Sequence, residues 1–316
     1  MRFVHETLCQ RVVFAPGSAA EAVHDEVGSS RVMLIGTRLD VPAVLRWDEV
    51  VMHVPVAVAE RARAAAAARQ VEVIVSVGGG SATGLAKAVA LTTGLPVVAV
   101  PTTYAGSEAT NVWGLTANGR KTTGTDPRVL PRTVVYDATL TATLPTELAV
   151  ASGLNALAHC VDSLWAPRAD PINAALAGEG IRALMAALPD DREQMFYGTY
   201  LAAVAFASAG SGLHHKICHV LGGMFGLPHA QTHAVVLPHV LALNAPGAGG
   251  RITLDELQDL RRRVDAPRAL RDYGFEEDQI PAAVEAILPV VPDNNPVPVN
   301  AGNLKQLLHD AWEGTR

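Results

Sequence analysis

A chain of 316 residues is longer than one ordinary core and points to two domains. Apolar residues make up 49% and charged residues 18%, a globular balance, and a net charge of -6 excludes the basic footprint of a nucleic-acid binder. No uncharged run reaches the roughly 20 apolar residues of a membrane helix.

The opening stretch Met1 to Gln10 is charged and lacks the apolar core of a signal peptide, so a cytoplasmic, non-membrane protein is expected. Cys9, Cys160 and Cys218 are far apart, odd in number and outside any CxxC pair. They fit a reducing compartment and argue against a disulfide framework or a structural zinc.

In chain order, the first part alternates short β-rich runs with helical stretches. Val32 to Ile35, Val50 to Val54, Val71 to Val77 and Pro96 to Val100 read as strands. Ala57 to Gln70 is Ala-rich and reads as a helix. Strands spaced by helices imply βαβ units and a parallel, Rossmann-like sheet with helices on both faces. The boundary falls near residue 145, which divides an α/β domain, 1–144, from an all-helical domain, 145–316. From Pro145 to about Val240 the chain is rich in Ala, Leu and Gly and broken by prolines. Ala245 to Gly250 reads as a loop, Leu254 to Val264 as a charged surface helix, the proline-rich stretch Leu288 to Val299 as a loop, and Leu304 to Trp312 as a last helix.

The run Val75 to Gly84 sets Gly78, Gly79 and Gly80 between a strand and a helix. Such a turn lets backbone approach a pyrophosphate, and the N–H groups and positive dipole end of the following helix face an anion. Ser81 is expected to cap that helix and Gly94 to close it. The spacing is not the Rossmann G-x-G-x-x-G, because Thr83 takes the sixth position. The bland alternative is a tight βα turn with no ligand. Against it stands the run Pro101 to Glu108, which brings Thr102, Thr103 and Ser107 to the same edge of the sheet after the next strand.

Six of the eleven histidines fall between positions 214 and 239. His215 and His219 are four apart and share one helix face, and so do Asn155 and His159 on a helix starting near Ser152. With His229 these form a plausible inward-facing site. His214, His233 and His239 read as core or surface histidines.

Gly-Gly-Gly-Ser, then Pro101-Thr-Thr-x-x-Gly-Ser-Glu108, then Asp137-x-x-Leu140-x-x-x-Leu144-Pro145, then His215-x3-His219-x-Leu221-Gly222-Gly223-x4-Pro228-His229, taken together and in that order, resemble the iron-containing alcohol dehydrogenases over nearly the whole chain. The resemblance implies their dehydroquinate synthase-like architecture and a nicotinamide cofactor on the glycine-rich turn, with Gly36, Gly78, Gly79, Gly80, Ser81, Thr102, Thr103 and Ser107 as its contacts. It also implies a divalent metal held by one Asp and three His. By position those ligands are Asn155, His159, His215 and His229, with His219 as proton relay.

Asn155 departs from the pattern: a neutral amide replaces the only anionic ligand, so no tightly bound metal is expected. Relative to the family the chain is also short near Leu39 to Pro42, Pro189 to Asp191 and Gly247 to Gly250. Thr103 to Thr110, Lys121 to Pro127, His214-His215-Lys216 and Asn295-Pro296-x-Pro298 resemble the maleylacetate reductase branch. That resemblance implies NADH- or NADPH-dependent reduction of the carbon–carbon double bond of a dicarboxylate enone in aromatic catabolism, with His159, His215, His219, His229 and Asn155 catalytic, Tyr104 and Lys121 touching substrate, and a homodimer. After Gly36 stands Thr37-Arg38, with no acidic residue immediately there to pair a ribose 2'-hydroxyl, so both cofactors are expected to serve. The rivals are a metal-dependent alcohol or polyol dehydrogenase, a lyase of the dehydroquinate synthase group, and a non-catalytic nucleotide-binding protein.

Overall fold

The computed structural model describes residues 2–117 and 120–315, excluding the side chains of residues 120 and 121. It divides into two compact units: Leu8–Leu144, and the chain from Pro145 onward together with the residues before Leu8.

The first unit is a six-stranded, all-parallel sheet in the order β1-β8-β5-β4-β2-β3. Its strands are β1 (Arg11–Phe14), β2 (Val32–Gly36), β3 (Leu45–Trp47), β4 (Val73–Gly78), β5 (Val97–Pro101) and β8 (Thr133–Tyr136), with helices α1 (Ala19–Val27), α2 (Val56–Ala68) and α3 (Gly80–Thr93) between them. A two-stranded antiparallel hairpin, β6 (Val112–Ala117) and β7 (Arg120–Thr125), stands apart from the sheet. Strands β4, β5 and β8 are buried along their whole length, and β4 and β5 accordingly read as near-continuous apolar runs.

Alternation sorts their side chains onto two cores. Met33, Ile35 and Ile74 pack with Val58, Ala59, Ala62, Leu85 and Val89 of α2 and α3. Val32, Leu34, Val73, Val75, Val77, Val98 and Val100 pack with Ala19, Val23 and Val27 of α1. Asp137 ties this second face to the sheet by accepting the N–H groups of Gly17 (2.8 Å) and Ala19 (3.2 Å), which explains the acidic residue after β8.

Two expectations fail here. Val50 to Val54 is a turn, not a strand: His53 and Val54 have φ of 62° and 47°, and the place beside β2 is taken by β3. The apolar character came from the entry to α2, where Val54 is buried in the core. Ser81 does not cap α3 but lies inside its first turn; Gly79 is the N-cap, and no side chain caps there. Gly94 does close α3, with φ of 70° and its N–H on the Ala90 carbonyl at 2.8 Å.

The second unit is helical: α4 (Thr146–Ser163), α5 (Pro171–Ala187), α6 (Arg192–Ala209), α7 (Leu213–Phe225), α8 (His229–Leu243), α9 (Leu254–Arg263), α10 (Ile280–Ile287) and α11 (Ala301–Glu313). Helix α4 begins at Thr146, six residues before the expected start, and is buried without a break from Ala149 to Ser163. A helix apolar on all sides belongs at the centre of a bundle, and α4 packs against α5, α6 and α8. Helix α10 had no clear sequence signal, whereas α9 and α11 each have a capping box and the amphipathic pattern of a surface helix. No helix among the described residues is long and apolar enough to cross a membrane.

Pro238 lies inside α8 and leaves the Ala234 carbonyl without its helical donor. The buried Arg261 supplies one: its guanidinium donates to the Ala234 oxygen and, at 2.9 Å, to that of Pro267. Replacing Arg261 by methionine keeps the stem and strands both carbonyls. That substitution is expected to lower unfolding free energy by about 2–3 kcal/mol, read by urea denaturation.

Candidate active site

In the α/β unit the glycine-rich turn is built by close approach. Gly78 ends β4 with φ of 151°, and its carbonyl accepts the Thr102 N–H at 3.0 Å, joining the turn to the segment after β5. Gly36 ends β2 with φ of 95°, and a Cβ there would stand 2.3 Å from the Val77 carbonyl oxygen. A Cβ on Gly79 would meet the Thr103 side chain at 3.1 Å. Only glycine lets three backbone segments converge this way. The turn opens onto the first N–H groups of α3, at Gly80 and Ser81, which have no partner within a helix. A backbone cradle at a helix N-terminus suits a pyrophosphate.

The segment carrying Thr102, Thr103, Tyr104 and Ser107 is held from beneath by Lys87. This lysine is buried on α3, and its ammonium reaches the carbonyls of Ser107 (2.6 Å), Thr110 (2.8 Å) and Val112 (3.0 Å). Burial pushes its pKa down to about 7, against the pull of Glu108 nearby. Glu108, also buried, accepts the Tyr136 hydroxyl at 2.8 Å, and burial raises its pKa. Tyr104 is itself 1% exposed. Lys121 stands on β7 opposite Thr116, and its side chain lies outside the described ones. Sequence reasoning passed over Lys87; a lone lysine within the buried Ala/Leu/Val run of α3 was the available signal.

In the helical unit the imidazoles converge. His159 stacks on His215 at 4.7 Å between centroids and 12° between planes, and Phe206 closes on both, at 4.7 and 4.2 Å. His219 lies 6.0 Å from His215. His233 is the hub: its ring is 4.4 Å from His229, 4.7 Å from His215 and 4.9 Å from His214. Residues His214 and His233, read as bland from the sequence, are therefore inside the cluster, hydrogen-bonded to each other at 2.9 Å. Cys218 sits 3.6 Å from the His214 ring. His239 is buried further along α8. Asn155 is one turn before His159 on α4, and both are buried.

Burial dominates the electrostatics. It pushes His159 and His214 down to about 3, with neighbouring imidazoles adding to the effect, and holds His215 and His233 well below their ordinary value. These rings are neutral at pH 7. Beneath them lies Asp162, which the sequence reading missed although it is one turn beyond His159. Burial raises its pKa to about 6 against four hydrogen-bonded N–H neighbours, and its carboxylate contacts His215 Nδ1 at 2.9 Å.

Buried polar atoms with no hydrogen-bond partner among the described residues include Asn155 Oδ1, His159 Nδ1 and His215 Nε2. As a metal-binding set, Asn155, His159, His215 and His229 offer one amide and three imidazoles, none of them anionic. Such a set leaves a buried dication uncompensated by any direct anionic ligand and does not fit a tightly held iron.

Comparison with known proteins places this geometry. The iron-containing alcohol dehydrogenase model matches residues 10–138, and the model of the C-terminal part of the same family matches 149–254. Maleylacetate reductase from Sphingobium indicum is 41% identical, with 99% of this chain and 98% of that protein covered. The aligned length of 347 positions exceeds the 316 residues here, so that relative carries stretches with no counterpart in this chain. Among solved structures, an iron-containing alcohol dehydrogenase from Corynebacterium glutamicum superposes with a TM-score of 0.96 at 55% identity, covering 100% of this chain and 98% of that one. Maleylacetate reductase from Agrobacterium tumefaciens gives 0.92 at 37% identity, with 99% of both chains covered. With a glycine turn in its parallel α/β unit and a histidine cluster in its helical unit, this chain belongs to the oxidoreductases of the iron-containing alcohol dehydrogenase family.

Proposed function

We propose that this enzyme reduces the carbon–carbon double bond of maleylacetate to give 3-oxoadipate, using NADH or NADPH and no tightly bound metal. The observation that carries the reading is the set of buried, neutral imidazoles of His159, His214, His215 and His233, with the exposed His219 and His229 beside them and Asn155 one turn before His159, on a chain about 40% identical over its length to proteins named maleylacetate reductase. An enzyme that must hold a Lewis-acidic dication gains from an anionic ligand; a reductase that stabilises charge with hydrogen bonds does not need one.

The reduced nicotinamide, when bound, supplies a hydride to the substrate carbon β to the ketone. The double bond's electrons move toward the ketone, and charge grows on its oxygen as an enolate. The imidazoles of His159, His215 and His229 are assigned to the surroundings of that oxygen, with N–H donors among them, and His219 to delivery of the proton that completes the product. One hydride and one proton are consumed for each double bond reduced. The glycine turn and the Lys87-held segment orient the cofactor, and the buried walls around His215 keep water from the forming charge.

Chelator-treated protein is expected to oxidise NADH with maleylacetate at full rate, unchanged by added iron or zinc. His215→Ala and His229→Ala are expected to lose about 100-fold or more in kcat. Unchanged kcat and KM in both variants would sink the assignment. Activity returning only with metal, on an alcohol substrate, would favour the alcohol dehydrogenase chemistry for which the Corynebacterium protein is named. We further propose a cytoplasmic homodimer operating in breakdown of aromatic compounds. The edge strand β1, with Phe14 exposed, suits pairing with a second copy, and light scattering reads the mass.

A further inference from the structure

We propose that Asp162 is a positioning residue that locks His215 in a single tautomer, with the proton on Nδ1 and Nε2 presented as a bare acceptor. Asp162 is surrounded by hydrogen-bond donors. Asp162 Oδ2 receives the N–H of Gly212 at 2.8 Å and that of His215 at 3.3 Å; Oδ1 receives the N–H of His214 at 3.2 Å and the indole N–H of Trp165 at 3.0 Å. Backbone amides and an indole can only donate. A carboxylic acid proton on Asp162 would therefore meet donors on every side, so at neutral pH the group is an acceptor-only carboxylate. The fifth contact, to His215 Nδ1 at 2.9 Å, must then be an N–H donated by the ring. Since the ring is fully buried, carrying that one proton, its Nε2 is left with a lone pair.

The surroundings are built for this arrangement. Gly212 is glycine because a Cβ there would stand 2.4 Å from Asp162 Oδ1, so the carboxylate can sit against the first turn of α7. His159 and Phe206 hold the plane of the ring. His215 Nε2 is buried and has no hydrogen-bond partner among the described residues. Helix α4 thus places Asn155, His159 and Asp162 along one stripe, and the third of these aims a ring carried by α7. A carboxylate that fixes an imidazole's tautomer is a recognised way to set what its other nitrogen does.

For the reaction, this deepens the reductase reading and its consequence rests on it. A bare Nε2 cannot donate to an enolate oxygen. The donors to that oxygen narrow to His159 and His229, and His215 accepts, holding a neighbouring N–H or an acidic hydrogen of the substrate in line.

The test begins on the wild-type protein, where folding of a variant is not at issue. Protein labelled with nitrogen-15 in its histidines is observed by NMR at neutral pH, with the His215 signals assigned by their loss in His215→Gln. The expected result is a protonated nitrogen at Nδ1 and an unprotonated one at Nε2. A proton on Nε2, or an even mixture of tautomers, overturns the proposal whether or not maleylacetate is the substrate. In Asp162→Asn, an amide N–H facing Nδ1 should shift His215 to the Nε2–H form. For folded variant the expected kcat loss is on the order of 100-fold or more, with KM within about threefold of wild type. A folded Asp162→Asn protein with the wild-type tautomer also overturns it. Should the wild type show the Nδ1 proton yet fail to reduce maleylacetate, the substrate reading falls and the positioning role stands.

Discussion

Replacing Asn155 by aspartate is expected to convert this protein into one that purifies with a divalent metal. Asn155 Oδ1 already lies buried and unpartnered on the turn of α4 that precedes His159, in a site whose other three positions are imidazoles. A carboxylate there adds a negative charge directly against a dication. At an effective dielectric near 20, unit charges about 4 Å apart attract by about 4 kcal/mol, and the attraction to a dication is larger. Even after the carboxylate is desolvated, a net gain of about 3 kcal/mol remains, which is about 100-fold in affinity.

Two measurements check this, and neither depends on turnover. Metal content by mass spectrometry should rise from substoichiometric to near one per chain. Melting temperature should fall in the metal-free variant, because a lone buried carboxylate is costly, and recover on adding zinc or iron. Equal metal content in wild type and variant would show that Asn155 is not at a ligand position, and with it the whole placement of His159, His215 and His229 around a common point would fail.

How much of this was legible depended on what each residue faced. Strands β2, β4 and β5 were read correctly because both faces are buried, so composition alone marks them. Strands β1 and β8 escaped because a four-residue run has no room for a period, and β1 is half exposed. The false strand at Val50 to Val54 shows the limit of reading apolar runs: His53 and Val54 turn left-handed, and nothing in the residue types announces it. In the helical unit, i, i+4 spacing found His159 and His215 because that rule acts within one helix. His214 and His233 were judged bland because their meeting depends on how α7 packs on α8, and inter-helix register is not written in local spacing. Asp162 was within reach of the same logic, three residues beyond His159 on the buried stripe of α4. The cluster was visible as a composition; its wiring was visible only in three dimensions.

That wiring also sets the protein's response to acid, where a second large effect is expected: cooperative unfolding of the helical unit between about pH 4 and 5 in metal-free protein. His159, His214, His215 and His233 are buried with pKa values pushed down, two of them to about 3, whereas in the unfolded chain each titrates near 6.5. Below pH 6.5 the unfolded state therefore binds up to four protons that the folded state refuses. Stability contributed by these neutral rings is complete above 6.5 and is lost as pH falls toward the folded values. Asp162 acts in the opposite sense: its pKa is raised to about 6, so below that pH the folded state binds one proton more readily than the unfolded chain. The net difference is about three protons, or about 4 kcal/mol per pH unit. Against a total stability of about 10 kcal/mol, that exhausts the fold within about 2.5 units of 6.5. Circular dichroism against pH, with proton uptake on unfolding measured by calorimetry at pH 5, checks both the position and the slope. Replacing His214 and His233 together by glutamine and leucine should lower the proton uptake by about two and move the midpoint to lower pH, provided the pair is repacked without loss of stability at pH 7. A wild-type midpoint below pH 3 with less than one proton taken up would mean that these rings are hydrated in solution, and the buried hydrogen-bonding roles argued for them would go with it.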